Sequence, residues 1–284
     1  MATAPDQGIT MNTPAASDLP PARLPVLFVS HGSPMHALQP GAVAVAWKGF
    51  ADSLPRPRAI LIASAHWETG VPMLTGSDRP DTIHDFYGFP EALDHLRYPA
   101  PGSADLAREA RDLLKAAGIC AGIDGTHGLD HGSWSPLLHL FPEADIPVVQ
   151  LSVQPSLGTL PHLALGRGLR TLRDQGVLII GSGHMTHNLR EGIGAMRSGR
   201  TDLPALPYVA EFVDWVGQRI EKREPDLLAN YRQLAPHAAR AHPGEEHFLP
   251  LFIALGAAGE DYRPQRIYHA TELQSLAMDA WAFH

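Results

Sequence analysis

The 284-residue chain carries 22 Lys and Arg against 30 Asp and Glu, a formal charge of −8, with 44% hydrophobic and 18% charged residues. That is ample apolar material for a packed core and too much for a disordered chain, and the acidic balance without a Lys/Arg cluster argues against nucleic acid as a partner. One cysteine, Cys120, excludes an internal disulfide, a Cys-x-x-Cys zinc ribbon and an iron–sulfur cluster.

Residues 1–22 are rich in Ala, Pro, Asp, Thr and Ser without apolar periodicity and are expected to form a disordered leader, with 23–284 as one domain. Pro25–Ser30 is a short apolar run read as a buried strand, followed by a helix over Gly41–Leu54 with Val43, Ala46, Trp47 and Phe50 on one face. Ala59–Ala65 is a second buried strand and Val71–Thr75 a short third. A loop-rich aromatic segment fills 76–101, and Ser103 caps a helix stopped by Gly118. Gly118–Ile123 is read as a strand, in whose apolar surroundings Cys120 is expected to be buried and inert. A Gly/His loop leads to Gly132. Ile146–Val153 is a strand, Leu160 to about Gln175 a helix, and Val177–Gly181 a strand. Helices are expected over Tyr208–Ile220 and Glu246–Ala258. Buried strands alternating with helices predict a single-domain α/β layered fold, its largely parallel central sheet flanked by helices. No signal peptide is visible and no apolar run is long enough to span a bilayer, so a cytoplasmic protein with no membrane association is expected.

The unusual count is 16 histidines. Three buried strands run directly into histidine: His31-Gly-Ser-Pro, His66-Trp-Glu-Thr and Gly-Ser-Gly-His184-Met-Thr-His187-Asn. In an open parallel sheet ligands bind outside the carboxyl ends of the strands, so these imidazoles are expected to meet on one rim. His247 opens a predicted helix and His131 stands on a loop, and both are further candidates; His184 competes with His187 for one place. The other ten histidines, among them His36, His162 and His242, lack the strand-end context and are expected mostly at the surface. Trp67 and Trp134 read as packing residues, and Gly-Ser-Gly before His184 is a weak dinucleotide signal lacking its third glycine. No phosphate-binding loop, nucleophile elbow or His-Glu-x-x-His is present. A histidine-rich metal site at the C-terminal edge of the sheet is what the residues leave.

The set His31-Gly-Ser-Pro, Ser64-Ala-His66-Trp, Asp130-His131-Gly-Ser-Trp, Gly181-Ser-Gly-His-Met-Thr-His187-Asn-Leu-Arg190 and His247-Phe-Leu-Pro-Leu resembles the class III extradiol ring-cleavage dioxygenases, in particular their 4,5-DOPA-dioxygenase-like branch. The resemblance implies a non-haem Fe(II) enzyme that opens a catechol-type ring with O2 to a semialdehyde, Zn(II) being able to fill the site in purified protein. It implies His31, His66 and His247 as metal ligands, His187 as acid/base or as a further group at the metal, and His131 as a second active-site histidine. Protocatechuate-cleaving relatives use two histidines and a carboxylate, so Glu245 and Glu246 remain alternatives to His247 as the third ligand. Arg190 and Arg240 are candidates for a substrate carboxylate, and the segment Thr82–Tyr98, with His84, Phe86, Tyr87 and Phe89, for the pocket wall. A zinc hydrolase and a non-catalytic metal-binding regulator are the competing functions.

Overall fold

Side chains alternate with period two along the central strands, and the two sets pack into two separate cores. Val26 and Phe28, Leu61 and Ala63, and Val177 and Ile179 face one; Leu27 and Val29, Ile60 and Ile62, and Leu178 and Ile180 face the other. A sheet apolar on both faces must be covered on both, which makes a three-layer α/β/α architecture. In the computed structural model, which describes residues 23–197 and 203–284, the chain forms ten strands. They are β1 (Val26–Ser30), β2 (Ala59–Glu68), β3 (Met73–Thr75), β4 (Gly122–Asp124), β5 (Val148–Val153), β6 (Val177–Gly183), β7 (Pro264–Tyr268), β8 (Thr271–Glu272), β9 (Leu276–Ala277) and β10 (Ala280–Phe283). The expected leader at 1–22 lies outside the described residues.

Eight strands make one sheet in the order β4-β3-β5-β2-β6-β1-β10-β7, and β8 and β9 form a separate hairpin. The centre β5-β2-β6-β1 is parallel, while β10 joins β1, β7 joins β10 and β3 joins β5 antiparallel. The expected parallel sheet is thus the core, with antiparallel edges that the sequence reading did not include. One face is covered by α1 (Gly41–Asp52), which brings Trp47, and the other by α2 (Ala104–Ala116). On the first face α3 (His131–Leu140) adds Trp134; on the second lies α4 (Thr159–Leu169). After β6 come α5 (Leu189–Arg197), α6 (Pro207–Glu221), the short α7 (Pro225–Ala229), α8 (Tyr231–Leu234) and α9 (Ala238–Ala241), then α10 (Leu249–Ala258). Among the described residues no helix is long and apolar enough to cross a membrane.

Every residue of α10 is buried. It lies against β6 because Gly181 and Gly183 carry no Cβ; one added at either would run into the carbonyls of Pro250 and His247. It meets α4 the same way, with Gly166 against Gly256, which explains a glycine inside a helix that its propensity disfavours. The Gly-Ser-Gly of β6 is therefore a packing device, not a dinucleotide motif. α10 begins at Leu249 rather than Glu246, because Pro250 favours a helix start and residues 246–248 form a turn.

Other local expectations are corrected. Cys120 is exposed, since β4 starts only at Gly122 and the preceding residues form a surface turn. His36, His162 and His242 are buried: His242 bonds the Met185 carbonyl and stacks on Phe248, His162 accepts from the Gln154 amide, and His36 pairs with Glu272. Each has a polar partner that makes burial tolerable. Trp134 is wholly buried, donating to the Ile83 carbonyl, and Trp67 is buried and stacked on His127, as packing residues should be.

Candidate active site

The C-terminal ends of β1, β2 and β6 bring their histidines to one rim, together with His131 and His247. His31 follows β1 directly, its amide donating to the Gly183 carbonyl at 3.0 Å. The chain then turns through Gly32 at φ +76°, and His184 Nε2 accepts the Gly32 amide at 3.0 Å. His184 is therefore occupied in holding that turn and does not compete with His187. His66 lies inside β2, two residues before its end, where it is half-buried. His131 is the first residue of α3 rather than a loop residue: Asp130 caps the helix by accepting the Ser133 amide. His247 sits in the turn before α10, and its carbonyl accepts the His184 amide at 2.7 Å. His187 stacks on His247 with ring centroids 3.4 Å apart and planes at 17°.

The Nε2 atoms of His31 and His66 are 3.1 Å apart, and those of His66 and His247 3.2 Å. Three nearby acceptors decide where the ring protons sit. Ser182 donates its hydroxyl to the Gly132 carbonyl, so its oxygen can only accept from His31 Nδ1, at 3.1 Å. Glu246 Oε1 accepts from His247 Nδ1 at 3.0 Å. Asp85 Oδ2 lies 3.3 Å from His66 Nδ1 and 2.9 Å from His131 Nδ1, while its Oδ1 accepts the His131 amide at 2.9 Å. With the Nδ1 atoms protonated, the three Nε2 atoms are left with free lone pairs in one cluster.

Burial and the neighbouring imidazoles push His31 and His247 well below the ordinary histidine range. Burial first, then His131, takes His66 to about 3 and His187 to about 4. Burial would raise Asp85, but hydrogen bonds and charge from His131 and His66 outweigh it and hold the carboxyl at about 2. At neutral pH His31, His66, His187 and His247 are thus neutral and Asp85 is ionised. Lone pairs facing each other near 3 Å repel unless a cation lies between them. Two imidazoles on one ion at about 2.0–2.1 Å hold their nitrogens about 2.9–3.4 Å apart for angles between square and tetrahedral. The observed separations fall in that range, so the residues fit a divalent metal. His31, His66 and His247 are able to hold it, with all three donor atoms within 4.8 Å of one another.

All five predicted histidines are brought together. Of the alternative ligands, Glu245 turns away to Tyr231 and Arg232, and Glu246 bonds His247 Nδ1 and lies in a group with His187 and His247 that could also hold a metal. Arg240 pairs with Glu191 and lies over the Tyr208 ring, and Arg190 is exposed. From the loop, Phe86 meets the His131 ring edge-on at 5.6 Å. Sequence reasoning missed Asp85 and Ser182. Asp85 follows a named candidate, His84, but carries no pattern of its own, and Ser182 reads as one more strand residue. The cluster opens to solvent along His66, Asp85, His187 and Glu246, whose side chains are 13–24% exposed, while His31 and His247 are buried.

A sheet edge carrying a convergent imidazole cluster defines a class of metal-dependent enzyme, and comparison with known proteins specifies it. The family model for the catalytic LigB subunit of aromatic ring-opening dioxygenase matches residues 25–278. The 4,5-DOPA dioxygenase extradiol of Beta vulgaris is 40% identical over 263 residues, covering 90% of this chain and 95% of the relative. That of Escherichia coli K12 is 38% identical over 250 residues, covering 86% and 90%. The crystal structure of an uncharacterized protein from Escherichia coli K12 superposes with a TM-score of 0.75 at 32% identity, covering 92% of this chain and all of that one. The chain belongs to this LigB family and is an extradiol aromatic ring-opening dioxygenase. The family is metal-dependent, and among the described residues three overlapping groups could hold a metal: His31, His66 and His247; His66, Asp85 and His131; and His187, Glu246 and His247.

Proposed function

We propose that the protein opens the ring of a catechol of the DOPA class beside its diol with O2, giving a semialdehyde, at an Fe(II) held by His31, His66 and His247. The observation that carries the reading is the clustering of the His31, His66 and His247 donor atoms within 4.8 Å of one another, with Ser182 and Glu246 bonded to the Nδ1 atoms of His31 and His247 and the Asp85 carboxylate facing that of His66. A bound Fe(II) would supply Lewis acidity toward the diol and a common site for the catechol and dioxygen. Three neutral imidazoles contribute no charge, and the carboxylates of Asp85 and Glu246 lie directly behind the cluster, placed to offset the charge of a divalent ion. Zinc suits the same donor set and can fill it in purified protein.

The remaining chemistry belongs to the flanking histidines. His131 keeps its Nδ1 proton on Asp85, which leaves Nε2 as the atom that meets substrate or oxygen. His187, neutral at pH 7 because burial holds it at about 4, accepts a proton from the diol and, once protonated, is strongly driven to return it. One imidazole thereby serves as base and then acid. The half-buried rim admits the substrate, and Phe86, edge-on to His131, offers an aromatic wall for its ring. The DOPA assignment is supported by relatives named for that substrate on both the plant and the bacterial side.

The test is oxygen uptake by Fe(II)-reconstituted protein against a catechol panel that includes DOPA, with a zinc-loaded control. Stoichiometric O2 loss with a new yellow semialdehyde band, in the iron sample alone, is expected. No uptake with any catechol, from protein shown by elemental analysis to carry iron, would refute the proposal.

A further inference from the structure

The loop 82–98 is fastened to the body of the protein at its base. Thr82 bridges Leu129, the Ile83 amide donates to the Leu129 carbonyl at 2.8 Å, Trp134 Nε1 donates to the Ile83 carbonyl at 2.8 Å, and the Tyr98 amide donates to Thr82 Oγ1. These bonds fix the backbone two residues before Asp85. Asp85 then accepts the His131 amide on Oδ1 and the His131 Nδ1 group on Oδ2, and the same Oδ2 lies 3.3 Å from His66 Nδ1, within ion-pair distance. The rings of His66 and His131 lie 3.9 Å apart, centroid to centroid, and no other carboxylate among the described residues pairs with either.

We propose that Asp85 is a positioning residue that sets two imidazoles at once, holding His66 with its Nε2 turned to the metal and His131 with its Nε2 turned to the substrate. The inference rests on the metal-site reading above. Oδ2 is the shared element: it holds the His131 tautomer through a hydrogen bond and, facing His66 Nδ1 at 3.3 Å, favours the proton on that nitrogen through its charge, so the ligand and its neighbour share one carboxylate. An ionised carboxylate is required, because every group that meets it is a donor. Asparagine has the same shape but one acceptor and one NH2 donor. Whichever way its amide turns, it sets a donor against a donor, either at the two imidazoles or at the His131 amide. Shape and hydrogen-bonding chemistry therefore predict opposite results for one substitution.

The test is zinc titration of the metal-free full-length protein by chelator competition, for the wild type, Asp85→Asn, Asp85→Ala and His31→Ala, with imidazole nitrogen NMR on the zinc-loaded wild type. Losing an outer partner of a metal-bound histidine typically costs 10–100-fold in affinity. Both Asp85 variants are expected to lose roughly that factor, and the isosteric asparagine to recover none of it relative to alanine. In the wild type both His66 and His131 are expected to carry their proton on Nδ1. Wild-type zinc affinity in folded Asp85→Asn would overturn the proposal, because then only the shape of Asp85 matters. An Nε2 proton on either histidine in the wild type would overturn it without any variant, which covers a substitution that fails to fold. The underlying reading fails separately, and takes this proposal with it, if His31→Ala binds zinc as tightly as the wild type.

Discussion

Gly183→Ala removes no hydrogen bond and adds a single methyl group, yet it is expected to disable the site. Gly183 ends β6 beneath the turn that carries His247. An added Cβ would overlap the His247 carbonyl oxygen and lie 3.1 Å from its carbonyl carbon and 3.2 Å from Pro250 Cγ. The neighbours on that side are backbone and a proline ring, with no flexible side chain to swing away, so the His247 peptide must retreat by about 1 Å to restore ordinary contact. Metal–ligand distances tolerate only about 0.2 Å, and the same peptide accepts the His184 amide. The expected result is loss of about 100-fold in turnover, as for a misplacement of this size, with metal affinity reduced in parallel. Overpacking itself should cost about 1–3 kcal/mol. The control is Gly166→Ala, whose Cβ would meet the backbone of α10 further from the site, with Ala257 N at 2.7 Å and Gly256 Cα at 2.9 Å. It is expected to be destabilised without losing affinity for metal. Chelator-competition titration, oxygen uptake and thermal denaturation of the metal-free proteins read all three quantities. A folded Gly183→Ala protein with wild-type metal affinity and turnover would refute the reasoning.

Ser182→Ala removes the only acceptor among the described residues that engages His31 Nδ1, and metal affinity is expected to fall about 10–100-fold with the fold intact; unchanged affinity in the same titration would show that the Ser182 bond does not orient the ring. His31→Ala is expected to lose metal by elemental analysis, whereas His187→Ala should retain metal and lose most turnover; full activity in the latter would remove His187 from the acid/base role. Acid should destabilise the metal-free protein. His187 titrates at about 4 in the fold against 6.5 free, so between those values the unfolded chain binds a proton that the native state does not. The contribution is present above pH 6.5 and lost as pH falls toward 4, about 3 kcal/mol for this group. Unfolding free energies of the wild type and His187→Ala at pH 7 and 5 isolate it, about 2 of those 3 kcal/mol falling in that interval, and an identical pH dependence in the two proteins would contradict the burial argument.

Much of the site is legible along the chain because parallel strands end on one edge. Once Val26–Ser30, Ala59–Ala65 and Val177–Gly181 are read as buried parallel strands, the histidines that follow them must share a rim, however far apart they lie in sequence. The two cores also follow from the sequence, since alternation at period two fixes which side chains oppose which. Tertiary structure alone decided the rest. The exposure of Cys120 and the burial of His36, His162 and His242 depend on which loop covers which partner, and the antiparallel β10 is recognised as a strand only beside β1. The roles of Asp85, Ser182 and Glu246 are of the same kind. Which nitrogen of an imidazole carries its proton is set by what the other face of the ring meets, and those partners are 151 residues away for His31 and Ser182 and 46 for His131 and Asp85. Residue type and spacing place a histidine at the rim, but the direction of its lone pair is fixed by donors and acceptors that only the folded chain brings within reach.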